Sequence, residues 1–359
     1  MDSGTIKNIR QSNIDGIRFL AIISIVLFHY FSRYVDGVEE SALRLPYGND
    51  LDYFPYGGVI GNNMFFLLSG FFIYPSLRAS DSIARFFKKK IIRLFPPLLV
   101  ASILTVSLFL LFDKEIILPG CHSVGNFCVS LTMISPKLVN WCFGTHLSYL
   151  NGGYWFLWVM VEFYFIAGLL YYVKKEYFFR NYTILTMACF AITIVSSFLG
   201  YIHLYNEYYT FVELFPFMSN FFVLWVGVFL YQLFNHQLNK QIVVINGLFC
   251  VLMMLYFANW YIFVVICFFI LVLKFPRMFS LLQWKPICVI GQSSFFLYLI
   301  HEPIGVMAIY YSGYTYGTHA WIVALAMLVL FMVLSVLYSR FIDSRITYIL
   351  NKSHFINKK

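Results

Sequence analysis

Apolar residues run in long blocks divided by short polar stretches, near 14–34, 57–77, 94–112, 154–173, 182–201, 211–234, 241–257, 260–273, 287–310 and 319–340. Most blocks approach the roughly 20 residues that a helix needs to cross a hydrocarbon core of about 30 Å. Only helices and closed barrels satisfy their backbone polar groups inside lipid. The pattern therefore predicts an all-α, polytopic integral membrane protein with about ten transmembrane helices. The blocks at 241–257 and 260–273 are short and meet at Asn259, so they read either as two spans or as a hairpin or re-entrant pair.

The polar positions between blocks carry the topology. Cations gather at Arg78, Arg85, Lys88, Lys89, Lys90 and Arg93, at Lys174, Lys175 and Arg180, at Lys240, at Lys274, Arg277 and Lys285, and at Arg340, Arg345 and the Lys-rich end. These are every second loop plus the tails. The intervening loops hold acids instead: Asp36, Glu39, Glu40, Asp50 and Asp52 in the first, Glu207 and Glu213 in a later one. The alternation follows the positive-inside rule with both termini cytoplasmic, in a protein of inner-membrane type. A net charge of +9 is then mostly topology, in contact with membrane lipids, and needs no nucleic-acid partner.

With 61% hydrophobic and 11% charged residues in 359, there is too little polar surface to cover a soluble globule. The longest stretch without a hydrophobic block, Asp113 to Gly153, is too short for a separate soluble domain, so one domain of 1–359 is expected. The first block follows Lys7 and Arg10 as in a signal peptide. Its length and the lack of a small-residue cleavage pattern make it a retained helix. Cys189, Cys250, Cys267 and Cys288 lie in apolar runs and read as small hydrophobes. Cys121, Cys128 and Cys142 share the Asp113–Gly153 stretch with His122 and His146. Their irregular spacing favours one disulfide over zinc, and no metal site is expected.

Polar side chains inside the blocks point to chemistry. Arg18 and His29 lie in one apolar segment, eleven residues apart. At about 100° and 1.5 Å per residue they share a helix face, about 16 Å apart. An ionisable residue within a span is costly unless it faces a protein interior or aqueous cavity, so it reads first as functional. The alternative is a polar pair that bridges helices. Lys90 and Arg93, three apart in the second loop, share a face and with Arg18 can clamp phosphates. For Lys88 and Lys89, lipid-headgroup anchoring is an equal alternative. Ser69 and Gly70 read mainly as small residues for close packing. Glu162, buried in the fourth span, is either the partner of an Arg or Lys or a member of the site. His301 lies in the ninth span at roughly the depth of His29.

These pieces, in this order, resemble the membrane-bound acyltransferase 3 family, which includes bacterial O-acetyltransferases acting on surface glycans. The resemblance runs from Ile14 to about Phe341. It is carried by Asp15-Gly-x-Arg18 with His29, Phe65-Phe-x-x-Ser-Gly70, the basic loop ending in Arg93-x-x-Pro96, Trp155 to Tyr164, and Ser294-x-x-x-Tyr-Leu-Ile-His301. Three departures stand out. Lys90-x-x-Arg93 replaces the usual Arg-x-x-Arg, Asn63 stands where an acid commonly precedes the Phe-Phe element, and Glu162 comes two residues later than the usual acid. Some family members carry a fused extracytoplasmic hydrolase-like domain, for which this chain is expected to have no room.

The resemblance implies transfer of an acyl group, most simply acetyl, from cytoplasmic acyl-CoA to a hydroxyl of a glycan such as lipopolysaccharide O-antigen or exopolysaccharide. His29 would be the general base, with Arg18 as its catalytic partner. Arg18, Lys90 and Arg93 would hold the donor, and His301, Glu162 and Ser69 would support. No cofactor is expected to stay bound, and acetyl-CoA is the donor substrate. The main rival is a transporter or flippase of a lipid-linked glycan, in which the buried Arg, His and Glu form a path. A polymerase would want a larger outer loop rich in Arg and acids. A purely structural protein would not need two histidines at matching depth. Trp141, Tyr149, Tyr154 and Trp155 can stack on sugar rings or form an interfacial belt, which is favoured for Trp155.

Overall fold

Helix is the form each apolar block takes, because lipid leaves its backbone N–H and C=O groups no other partners. The computed structural model describes residues 3–34, 43–47, 53–201, 211–257, 259–346 and 349, with side chains described from 12 onward except 199–201. Its α-helices are α1 (Ser3–Phe31), α2 (Gly57–Arg78), α3 (Ile83–Phe112), α4 (Val124–Leu131), α5 (Pro136–Phe143), α6 (Trp155–Val173), α7 (Phe178–Tyr201), α8 (Phe217–Phe234), α9 (Lys240–Phe257), α10 (Trp260–Lys274), α11 (Lys285–Gln292), α12 (Ser294–Tyr316) and α13 (Trp321–Tyr338). No strand occurs among the described residues.

Eight helical stretches are long and apolar enough to cross a membrane among the described residues. The last, Ser294–Ile346, holds both α12 and α13, joined through Gly317 at φ 55°. The short block at 260–273 becomes α10, whose 15 residues span about 22 Å and fall short of a full crossing.

Three boundaries differ from the sequence pattern. α1 begins at Ser3, not near 14. The basic segment expected as a loop is the opening of α3, because the Ser82 hydroxyl accepts from Arg85 N at 3.3 Å and caps the helix there. Lys89 donates to Ala79 O at 2.6 Å and Ser80 Oγ at 3.2 Å, closing the turn behind α2. The ninth block breaks at Ser293 into α11 and α12.

At the centre α2 packs between α1 and α8, and α12 lies against α1, α3 and α13. A Cβ on Gly70 would fall on Leu224 O, and one on Gly227 would fall on Leu67 O, so α2 and α8 cross with their backbones nearly touching. α1 meets α11 the same way, with Gly291 against Asp15 O.

The segment from Asp113 to Gly153 folds as short helices over one end of the bundle. It holds no disulfide: the cysteines are free, and Cys121 is buried with its thiol donating to Leu150 O at 3.1 Å. The expectation of a disulfide is not met: Cys121, Cys128 and Cys142 are all free, the first buried and the other two exposed. His122 pairs with Asp113 at 2.8 Å. Glu213 pairs with Lys137 at 3.1 Å, while Asp36, Glu39, Glu40, Asp50, Asp52 and Glu207 lie outside the described residues.

Candidate functional site

One cleft collects the basic residues. Its walls are Arg18 of α1, Ser69 and Phe72 of α2, Lys90 and Arg93 of α3, Tyr164 of α6, and Gln292 and Tyr298 around α12. It holds about 920 Å³ of space not filled by atoms, its open mouth included, and no acid lines it. Lys90 Nζ sits 4.4 Å from the Tyr164 ring centre and 5.2 Å from that of Phe86, which aims the ammonium inward along two aromatic faces. Arg18 is fixed by Asp15 at 2.7 Å, and Asp15 is held in turn by Gln292 Nε2 at 2.8 Å. The chemistry of this wall suits a polyanion that carries an apolar arm. Ser69 faces the cleft, and close helix packing falls to Gly70.

Phe156 and Tyr298, whose ring centres are 5.5 Å apart, also line the cleft. Behind Tyr298 lies His301, ring centres 5.8 Å apart, and behind that His29, at 5.0 Å. Thus the structure brings Arg18, Lys90, Arg93 and Ser69 into one cavity and His29 with His301 into a second group next to it.

His29 is in the last turn of α1, two residues before its end, and only 5% exposed; His301 is fully buried. His29 Nδ1 lies 2.9 Å from His301 Nε2, and His301 Nδ1 lies 2.8 Å from Tyr298 O. These contacts assign the tautomers of the neutral pair. A carbonyl only accepts, so His301 Nδ1 carries a proton and its Nε2 is a lone pair. His29 Nδ1 must then donate, which leaves the lone pair on His29 Nε2. That atom faces Arg33 Nη1 at 3.4 Å and Glu302 Oε1 at 3.6 Å.

Glu302 and Arg33 were not singled out in the sequence. Glu302 is 3% exposed and accepts from Tyr34 OH and from Gly153 N, both at 3.1 Å, with Arg33 Nε at 3.5 Å. A signal existed for Arg33, since it stands four residues after His29 on one helix face. For Glu302 the signal was an acid beside an intramembrane histidine.

Local sequence explains why Gly153 reaches this spot. Pro303 has no N–H, so the carbonyl of Leu299, four residues earlier in α12, loses its helical donor. Asn151 Nδ2 supplies one at 3.1 Å, and the Asn151 side-chain oxygen accepts from Gly153 N at 2.8 Å. Tyr298 OH donates to Gly153 O. The Asn151-Gly-Gly-Tyr154 turn is thereby fastened to α12 beside Glu302.

Glu162 lies elsewhere. Its carboxylate accepts from Phe217 N at 3.0 Å, at the N-terminus of α8, so its partner is a helix end rather than the Arg or Lys expected. Tyr154 is buried against Ser102, and Trp155 packs with Phe66 and Phe156, while Trp141 is 70% exposed. Burial pushes the Cys121 thiol up, with the Glu302 and Asp113 charges adding, so it is no nucleophile.

Residues 11–340 match a family model described as an acyltransferase domain, of the acyltransferase 3 type. No curated protein and no solved structure matches the chain.

Proposed function

The chain belongs to the acyltransferase 3 family, multi-pass membrane acyltransferases that typically act on surface glycans, and on that premise we propose that it transfers an acetyl group from cytoplasmic acetyl-CoA to a hydroxyl of a cell-surface glycan. Lipopolysaccharide O-antigen and exopolysaccharide are the acceptor classes in view. The bacterial inner membrane with both termini cytoplasmic is the setting.

The observation that supports this reading is the adjacency of the two groups: a cleft walled by Arg18, Lys90, Arg93 and Tyr298, and next to Tyr298 a histidine pair whose outer lone pair, on His29 Nε2, accepts only from the half-buried Arg33 guanidinium. A CoA thioester is a polyanion with a long neutral arm and a small reactive end. The cations take the phosphates, Arg by a bidentate fork and Lys as a point charge. The aromatic pair Phe156 and Tyr298 takes the arm, and the acyl carbon arrives at Tyr298.

In the reaction the acceptor O–H breaks and its proton moves to His29 Nε2. The oxygen forms a bond to the thioester carbonyl carbon, the C–S bond breaks, and the thiolate leaves with the proton from His29 as a thiol. His301 holds His29 in the tautomer that keeps the lone pair on Nε2, where the acceptor hydroxyl replaces Arg33 Nη1 as donor. General base help of this kind is worth typically 10² to 10⁴ in rate.

The test is the ester-bound acetate on surface glycan from cells lacking this chain, complemented with wild type or His29→Ala at matched amounts in the membrane. Acetate restored by wild type and not by the variant, with glycan amount unchanged, supports transfer. Acetate that persists without the chain while glycan export falls would replace this reading with transport.

A further inference from the structure

We propose that Glu302 is the positioning residue of this site: its buried carboxylate is the counter-charge that His29 acquires when it takes the acceptor proton, and Gly152 lies between that carboxylate and the surface. This rests on the acyl-transfer reading and assigns a part to a residue outside the family elements that identified the chain.

The argument is geometric. Glu302 Oε1 lies 3.6 Å from His29 Nε2, the atom that receives the proton, and not from Nδ1, which is already engaged by His301. A carboxylate paired to Nδ1 would set the tautomer. One facing Nε2 does nothing for the neutral base and acts only once that nitrogen bears a proton. Its stabilisation therefore appears in the transition state and is absent from the ground state, which is the condition for raising kcat.

Cost of reorganisation is low, because the carboxylate is already clamped. Tyr34 OH and Arg33 Nε, in the turn that follows α1, and Gly153 N, in the turn before α6, fix it. Arg33 also keeps the carboxylate compensated while His29 is neutral. The charged and titratable groups around His29 are thus Arg33 and Tyr34 from its own end of α1, and His301 and Glu302 from α12.

Access comes from the side of Gly152. It is exposed, and a Cβ there would stand 3.5 Å from Arg33 Nη2 and 3.7 Å from Glu302 Oε1. A larger side chain at 152 would cover the polar group at its open face. The Arg33 side chain, 31% exposed, borders the same opening.

Glu302→Gln is close to isosteric and keeps an oxygen for Gly153 N or Tyr34 OH while it removes the charge. With the full chain in membrane vesicles, acetyl-labelled CoA thioester and glycan extracted from the host cells, it is expected to lower kcat by 10²- to 10³-fold. Both KM values should stay within threefold. Glu302→Asp should recover at least tenfold of that loss, and Tyr34→Phe, which removes a clamp and no charge, should cost less than tenfold. A Gln variant at wild-type kcat, or an Asp variant no better than Gln, overturns the proposal.

A second readout needs no turnover. Carbethoxylation of His29 by diethyl pyrocarbonate, followed by peptide mass spectrometry across pH, reports its protonation. Its midpoint should move by about one unit in Glu302→Gln and stay in place in Tyr34→Phe; an unmoved midpoint in the Gln variant refutes the pairing. If wild type transfers no acetyl, the functional reading falls while this measurement still decides the role of Glu302.

Discussion

His301→Ala is the sharpest perturbation of the histidine pair, because it touches neither the nucleophile nor the donor cleft. In the native site His29 Nδ1 donates to His301 Nε2 at 2.9 Å, and both rings are buried. Removal of the acceptor leaves a buried N–H unsatisfied, at about 1–3 kcal/mol. The imidazole escapes that cost by moving its proton to Nε2, where Glu302 Oε1 waits at 3.6 Å. The base atom is then blocked, so each productive encounter must first restore the less stable tautomer. A penalty of about 2–3 kcal/mol corresponds to roughly 30- to 150-fold in kcat at about 1.4 kcal/mol per decade. The assay is the initial rate of acetyl transfer in vesicles, normalised to folded protein, against both substrates. His301→Gln offers an amide oxygen to the same N–H and should recover most of the loss. Wild-type kcat in His301→Ala, or equal losses in Ala and Gln, would refute the tautomer argument.

Other consequences follow from the same geometry. Lys90→Ala and Arg93→Ala should each raise the KM for acetyl-CoA about five- to thirtyfold, the size of 1–2 kcal/mol per charged contact, with kcat within threefold; titration with the thioester checks this. Gly70→Val should place a side chain on Leu224 O and pry α2 from α8, lowering the melting temperature of the detergent-solubilised protein by several degrees. Burial alone would raise the Asp113 carboxyl, but bonds from His122, Tyr311 and the Ile117 N–H outweigh it and hold it below the usual range. Its contribution is therefore present above the unfolded value of about 3.9 and is lost as pH falls through the lower folded value. Melting curves between pH 7 and 3 should show that loss in wild type and a flatter profile in Asp113→Asn.

Arg18, Lys90 and Arg93 were legible because each is a cation in or beside an apolar run, and helical spacing puts Lys90 and Arg93 on one face. His29 and His301 stood out for the same reason, and their equal depth suggested a meeting that the 2.9 Å contact displays. Arg33 was passed over because a cation at a helix end ordinarily reaches for the lipid surface. Glu302 was passed over because adjacent helical residues point about 100° apart, which hid the fact that both it and His301 reach one imidazole. Glu162 was read correctly as needing a partner, but the partner is a backbone N–H at Phe217, and sequence does not reveal which helix end will arrive. The basic loop turned helical through a single hydroxyl at Ser82, a cap whose position apolar periodicity does not mark.

The position of the basic cleft beside the histidine pair bears on what has to move in the reaction. Under the proposed reaction the donor stays on the inner side and the acceptor on the outer, and only two carbons and an oxygen pass between them. The carrier itself stays among Arg18, Lys90 and Arg93, so a barrier that would stop a large polyanion is met by moving only its smallest part.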